Sequence, residues 1–295
     1  MPTFSIVVPI YNVENYIRQS LDSIQNQTYK DFEVLCVDDC GTDGSMKIAE
    51  EFAQKDSRFK ILHHEHNRGV SAARNTALDA AKGKYMASVD PDDWVEPTFL
   101  QEVFDAFKTC PGAGAVWING GTYINRTGEY KLKNTTSKPN ELLGLNGTNI
   151  KYLVGCIWDK VFKLDNIREM NIRFPEGLIV EDDEFSFKYF SNYEFVYRVN
   201  SALYTYRDDR ENSYTNADKT GFIVKNQIKI IYNIYKYTKV MGTFEKYKKY
   251  LLEKIAKTVR NVLFFENNRT EILQEAQNLF KQINFPEDYW DMDIK

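Results

Sequence analysis

Apolar runs and helical-period stretches alternate through the first 110 residues. Phe4–Ile10 is an apolar run of the kind a strand buried on both faces shows. Residues 13–25 follow with Tyr16, Ile17, Leu21 and Ile24 at helical spacing, and Asn12 suits the N-cap. The same alternation predicts a strand over 32–37, a helix over 45–55, a strand over 59–63 and an Ala-rich helix over 71–81 stopped by Gly83. A strand over 85–89 and a helix over 97–108 complete it. Beyond residue 113 the pattern is mixed, with 115–118 and 122–124 reading as strands joined through Gly120-Gly121. Residues 185–190 look helical and 195–206 extended. From Gly221 the periodicity is helical throughout, including a last helix with Ile272, Leu273, Ala276, Leu279, Phe280 and Ile283 on one face, and Asn268 and Glu271 at its start.

Repeated strand–helix units imply an α/β fold with a mostly parallel central sheet and helices on both faces. In such sheets ligands bind outside the carboxyl ends of the strands. That rule gathers Pro9-Ile10-Tyr11-Asn12, Asp38-Asp39-Cys40-Gly41 and Asp90-Pro91-Asp92-Asp93 into one crevice.

Composition narrows the class. The chain has 295 residues, 43% of them apolar and 27% charged, with a net charge of −4. It can bury a full core without staples, and the balance argues against a protein-wide nucleic-acid footprint. The four cysteines show no Cys-x-x-Cys spacing, so disulfide and structural-zinc frameworks are poor readings. The N-terminus reads as a strand and not as a signal peptide, and no apolar stretch is long enough to span a bilayer. A cytoplasmic location with reduced cysteines is the expectation.

Acidic residues concentrate at Asp38-Asp39, Asp90 to Asp93 and Glu181-Asp182-Asp183-Glu184. Each has a plain structural reading: a turn, a helix cap, a dipole-favoured first helical turn. Together, two of them at strand ends repel unless a cation compensates. Asp-x-Asp oxygens suit Mg²⁺ or Mn²⁺ shared with substrate phosphates, which points to a nucleotide. His63, His64 and His66 read as a strand end entering a polar loop, against a metal site.

The ordered motifs resemble the family 2 glycosyltransferases, which have the Rossmann-like GT-A fold. The matching stretches are Val8-Pro9-Ile10-Tyr11-Asn12, Val37-Asp38-Asp39-Cys40-Gly41-Thr42-Asp43-Gly44-Ser45, Asn67-Arg68-Gly69 through Arg74-Asn75, and Asp90-Pro91-Asp92-Asp93-Trp94. Trp158-Asp159-Lys160-Val161-Phe162 and Phe174-Pro175-Glu176-Gly177 leading into Glu181-Asp182 follow. The resemblance covers residues 3–215. It implies a GT-A catalytic domain over 1–215 (a nucleotide-binding half, 1–110, and an acceptor-side half, 111–215), with a C-terminal helical region over 216–295.

The resemblance also implies roles. Pro9, Tyr11, Asp38 and Asp39 would hold the nucleotide of a UDP-sugar donor, with Asn67, Arg74 and Asp90 supporting it. Asp92, with Asp90, would bind Mn²⁺ or Mg²⁺. Asp182 would be the general base of a single inverting displacement, flanked by Glu181. Lys160, Arg207 and Arg210 are candidates for the acceptor or the diphosphate, against a surface lysine and an exposed, acid-paired loop. The acceptor would be a glycan or a lipid-linked sugar. A pyrophosphorylase, a dinucleotide dehydrogenase and a P-loop enzyme each need a Gly-rich loop that this chain lacks. The remaining alternative is a catalytically degenerate sugar- or partner-binding relative.

The C-terminal region adds one expectation. Residues 219–260 hold ten Lys and one Arg against two Glu. Lys225, Lys229 and Lys236 share one helical face, opposite Ile223, Ile230 and Ile234, with Tyr232, Tyr235, Tyr237, Tyr247 and Tyr250 interleaved. A basic amphipathic surface with interfacial tyrosines suits an anionic membrane, here the inner face of the cytoplasmic membrane. Nucleic acid is not expected.

Overall fold

The computed structural model describes residues 1–132, 140–209 and 220–265, with Gln274 alone beyond them. The alternation becomes β1 (Phe4–Ile10), α1 (Glu14–Gln25), β2 (Phe32–Asp38), α2 (Ser45–Lys55), β3 (Phe59–His63), α3 (Val70–Ala80) and β4 (Tyr85–Ser88). Then come β5 (Trp94–Val95), α4 (Phe99–Thr109), β6 (Ala115–Ile124), β7 (Glu129–Leu132), β8 (Glu141–Gly144), β9 (Lys160–Lys163) and α5 (Leu164–Glu169). The rest is α6 (Glu181–Phe190), β10 (Phe195–Asp208), α7 (Thr220–Val240) and α8 (Phe244–Phe265). The helix expected over 272–283, with its start at Asn268 and Glu271, lies outside the described residues.

The strands form one sheet in the order β3-β2-β1-β4-β9-β6-β10-β5, with β7 beside β6 and β8 beside β10. The first four strands are parallel. β9 joins the halves, antiparallel to both β4 and β6. β1 is buried over its whole length because its period-two alternation feeds two cores. Phe4, Ile6, Val8 and Ile10 pack with Ile17, Leu21 and Ile24 of α1 and Phe99, Leu100 and Val103 of α4. Val7 turns the other way, with Leu35 and Val37, onto Ala73, Ala77 and Leu78 of α3. Each of the Val, Leu, Ile and Phe side chains among them contributes about 1.5–3 kcal/mol on burial.

Three local expectations are corrected. Helix α1 begins after Val13, and no side chain caps it. Asn12 instead sits at φ 51°, a region asparagine tolerates, and its Oδ1 accepts the Thr42 N–H at 2.7 Å. Residues 115–124 form one unbroken strand and not two joined by a turn. Its glycines are packing glycines: a Cβ on Gly120 would lie 2.8 Å from the Tyr204 carbonyl oxygen, and one on Gly121 would enter the Tyr130 ring.

The third correction concerns the tyrosines of the basic region. Tyr247 and Tyr250 are 2% and 4% exposed and pack on Phe187 of α6, with ring centroids 5.1 and 5.3 Å away. The Tyr247 hydroxyl donates to the Ser191 carbonyl at 3.0 Å. Tyr232, Tyr235 and Tyr237 lean on the same core. Ile230 and Ile234 are fully buried, as the wheel predicts. These helices therefore support α6. Asn233 donates to Glu184 at 2.8 Å, Lys254 pairs with Asp183 at 2.5 Å, and the Asn226 oxygen accepts the Ile179 N–H at 3.2 Å. Among the described residues no helix is long and apolar enough to cross a membrane.

Candidate functional site

Parallel register brings the three strand ends together. Ile10 lies opposite Asp38, the Asp39 N–H donates to the Ile10 carbonyl at 3.0 Å, and the Val89 N–H donates to the Val7 carbonyl at 3.0 Å. Side chains knit the first two loops. The Asp43 carboxylate accepts the Glu14 N–H at 2.9 Å, and Glu14 accepts the Gly44 N–H at 2.8 Å. Thr42-Asp43-Gly44-Ser45 thus serves loop geometry. Tyr11 is 45% exposed above buried Pro9, an open apolar face at the end of β1.

Asp38 and Asp39 divide their work. Asp39 accepts from the His64 ring at 2.7 Å and from the Arg68 and Gly69 N–H groups at 2.8 Å each. Both its oxygens are engaged, so it shapes the loop entering α3. Asp38 keeps a more open side chain, 17% against 4%. His64 is held between Asp39 and Thr76, whose hydroxyl lies 2.9 Å from Nε2. Among the described residues no group of three or more His, Cys, Asp or Glu could hold a metal ion, so His63, His64 and His66 form no such site. Asn67 is exposed in the same loop.

Helix α3 can lie against β1 and β2 because Ala72, Ala73 and Ala77 are small and fully buried. It carries two polar side chains inward. Asn75 fixes the 174–176 segment, accepting the Phe174 N–H and donating to the Phe174 carbonyl, both at 2.9 Å. Arg74 is 4% exposed. One of its terminal nitrogens donates to Asp90 at 3.0 Å, and the other donates to Glu181 and, at 3.1 Å, to Asp182. Burial lowers the proton affinity of Arg74, but Asp182, Asp90 and Glu181 outweigh it and hold the guanidinium charged.

Glu181 and Asp182 begin α6, where a helix N-terminus favours acids. Val180 just before them has φ 63° and ψ 28°, a strained conformation for a β-branched residue. Burial pushes the Asp182 carboxyl well above the ordinary carboxylate range; Arg74 opposes the rise, and Glu181 and Asp90 reinforce it. Its side chain is still 23% exposed, against 10% for Glu181, so solvent screens part of the effect. Of the two, Asp182 is the acid open to an incoming molecule.

The Asp90–Asp93 turn closes through the Asp93 N–H donating to the Asp90 carbonyl at 3.0 Å. Asp93 is 1% exposed and faces away from the crevice, accepting the Tyr204 hydroxyl and the Arg207 N–H at 2.7 Å each. Burial, with Asp92 and Asp90 adding to it, pushes its carboxyl well above the ordinary range. Asp92 is half-buried. A half-buried Asp92 two residues from Asp90 is a hard-oxygen set fitting Mg²⁺ or Mn²⁺ held by one or two carboxylates and substrate phosphates.

Two candidates are corrected. Lys160 is 2% exposed and donates to the Cys156 carbonyl and Asp159, both at 2.5 Å, so it is neither a surface lysine nor a substrate contact. Arg207 is 7% exposed and commits its guanidinium to the Asp92 carbonyl, Asn125 and Gln19 at 2.8, 2.9 and 2.6 Å. It is neither a clamp on a diphosphate nor part of an exposed acid-paired loop. Arg210 lies outside the described residues. Sequence reasoning missed Asp93 as a buried acceptor and missed Tyr204 altogether. Asp93 had a signal in the acidic run, whereas Tyr204 sits in an ordinary strand pattern.

Residues 5–169 match the family model described as glycosyl transferase family 2. EpsH of Bacillus subtilis (strain 168) is 33% identical over 216 residues, covering 70% of this chain and 61% of EpsH. The chain thus spans about three-fifths of that relative's length. The crystal structure of S. aureus TarS 1-349 in complex with UDP-GlcNAc superposes with a TM-score of 0.76 at 22% identity, covering 97% of this chain and 82% of that one. The mannosyltransferase PcManGT from Pyrobaculum calidifontis, in complex with GDP-Man and Mn²⁺, gives a TM-score of 0.57 at 17% identity, covering 98% and 82%. The fold is that of these structures. With more than half its length matched by the family model, and with the strand-end acids and the acidic first turn of α6 joined through Arg74, the chain belongs to glycosyl transferase family 2.

Proposed function

We propose that the chain is an inverting glycosyltransferase that moves a sugar from a UDP-sugar to a hydroxyl of a glycan or lipid-linked acceptor. One observation carries the reading. Arg74 joins Asp90, at the end of β4, to Asp182, in the first turn of α6, so the donor end and the candidate base lie within reach of one guanidinium. The UDP-GlcNAc complex of the TarS structure supports the choice of nucleotide.

Pro9, Tyr11 and Asp38 hold the base and ribose at the ends of β1 and β2, over a loop shaped by Asp39. Asn67, Arg74 and Asp90 line the donor side. Asp92, with Asp90, would hold Mn²⁺ or Mg²⁺, which when bound would supply positive charge to offset that of a departing diphosphate. Asp182 takes the acceptor hydroxyl's proton as the acceptor oxygen bonds to the anomeric carbon and the nucleotide leaves from the opposite face. Its raised proton affinity suits it to that transfer nearer neutral pH. Glu181 shares Arg74 with it.

The test is nucleotide release from a panel of nucleotide-sugars with and without Mn²⁺ or Mg²⁺. Wild-type protein releases UDP only with metal. Asp182→Asn lowers turnover by about 10²–10⁴-fold and leaves UDP affinity nearly intact. Asp92→Ala abolishes the metal dependence of UDP binding. Absence of any release, with donor binding retained, would establish the degenerate relative instead.

A membrane-facing role rests on the basic region. Lys229, Lys236, Lys239, Lys246, Lys249 and Lys257 are exposed on α7 and α8. Val240, the last residue of α7, and Met241, in the turn that follows, are 86% and 49% exposed. With the tyrosines turned inward, contact with an anionic bilayer on the cytoplasmic side is electrostatic, with the apolar turn at its edge.

A further inference from the structure

We propose that Tyr204 and Arg207, on the far side of the sheet's acidic turn, are positioning residues that set the orientation of Asp90 and Asp92 toward a metal–nucleotide complex. The proposal rests on the functional reading above and extends it to residues without access to substrate.

The two aspartates present their carboxylates from a turn whose backbone is held from behind. The Asp90 N–H donates to the Tyr204 hydroxyl oxygen at 3.1 Å. That hydroxyl donates its own proton to Asp93 at 2.7 Å, and the other Asp93 oxygen accepts the Arg207 N–H at 2.7 Å. The Arg207 Nε donates to the Asp92 carbonyl at 2.8 Å. One end of Asp90–Asp92 is thus fixed through an N–H and the other through a carbonyl, and both fixings come from β10. They cross 114 and 115 positions of sequence.

The anchors are themselves immobilised. Tyr204 is fully buried and stacks on Trp158 with ring centroids 4.5 Å apart. The Arg207 guanidinium is bounded by the rings of Tyr16, Trp94 and Tyr123 at 5.1, 4.9 and 5.5 Å. Gln19 of α1 and Asn125 after β6 each accept from one of its two terminal nitrogens. A planar fork fits such a box, and an ammonium does not. Divalent coordination tolerates errors of only about 0.5 Å and 10–20° in its ligands, so a turn fixed at both ends is what a metal–diphosphate site requires.

Calorimetric titration of UDP in the presence and absence of Mn²⁺ tests this without relying on turnover. Tyr204→Phe removes one oxygen and keeps the Trp158 stack. It is expected to weaken Mn²⁺-dependent UDP binding about tenfold and leave metal-free UDP binding unchanged. Arg207→Lys is expected to act in the same direction, and Arg207→Gln no less. In turnover assays Tyr204→Phe raises the Mn²⁺ and donor concentrations for half-maximal rate more than it lowers the saturated rate. Wild-type Mn²⁺-dependent affinity in Tyr204→Phe would overturn the proposal, as would equal weakening with and without Mn²⁺ or a change confined to melting temperature. Failure of the wild-type protein to bind UDP with Mn²⁺ would overturn the functional reading and this proposal together.

Discussion

Arg74 is a charge taken out of water, and desolvating a guanidinium costs several kcal/mol unless its partners are well placed. Its partners are three carboxyl groups from two distant stretches, 16, 107 and 108 positions away. Removing it leaves those acids facing one another, which costs about 3–5 kcal/mol for a broken buried pair. The sign of the kinetic effect follows. A nearby cation favours the ionised carboxylate, so its loss raises the Asp182 proton affinity further. Arg74→Met is therefore expected to move the acidic limb of the kcat/KM–pH profile for nucleotide release to higher pH. An unmoved limb would show that Arg74 does not govern the base. Sequence alone marked Arg74 and all three acids, but as separate motifs. Nothing local records that a helix at 70–80 reaches one at 181–190.

At the scale of elements, glycines show where pattern reading stops. The place of Gly83 as a helix stop is legible, but its cause is not. A Cβ there would lie 2.6 Å from the Ser5 nitrogen and 2.7 Å from the Phe4 carbonyl carbon, so the turn between α3 and β4 is pressed against the backbone of β1. Glu33 completes that contact, accepting the Ser5 hydroxyl at 2.7 Å and the Lys82 N–H at 2.6 Å. Gly83→Ala is expected to lower stability by about 1–3 kcal/mol, read as a shift in urea midpoint, with UDP affinity of the folded protein unchanged. Gly120-Gly121 resembles a turn for the same reason: one-dimensional pattern cannot distinguish a glycine that bends the chain from one that admits Trp158 or Tyr130. Apart from the two-residue β5, which exists through its pairing with β10, the strands and helices up to residue 110 were legible because their apolar period is fixed by burial, which depends little on distant partners.

Across the whole molecule, charge is segregated. Residues 219–260 carry a local net charge of +9, set within a chain of −4. The helical period predicted α7 and α8, yet not that their tyrosines would face α6, because amphipathic sequence does not say whether its apolar face meets protein or lipid. Charge at the surface is screened within about 8–10 Å at ordinary salt. The protein is accordingly expected to co-sediment with anionic and not with neutral vesicles, and to leave them as salt rises. Replacing Lys229, Lys236, Lys239, Lys246 and Lys249 with Gln should abolish sedimentation; wild-type sedimentation of that variant would exclude this surface as the contact.

The crowd of acids around one guanidinium has a price in robustness. Asp182 binds its proton more tightly in the folded chain than in the unfolded one, so stability present at low pH is lost as pH rises through its folded pKa. The left-handed Val180 beside it adds strain of about 1–3 kcal/mol. A chain with Asn at 182 alone, which keeps Asp90 and Glu181 on Arg74, and with a relaxed residue at 180 is expected to melt higher and, on the proposed role of Asp182, to turn over about 10²–10⁴-fold more slowly. Selection for hardiness alone would therefore erode this corner of the molecule first, and laboratory evolution toward thermostability needs a sugar-transfer screen to keep it intact.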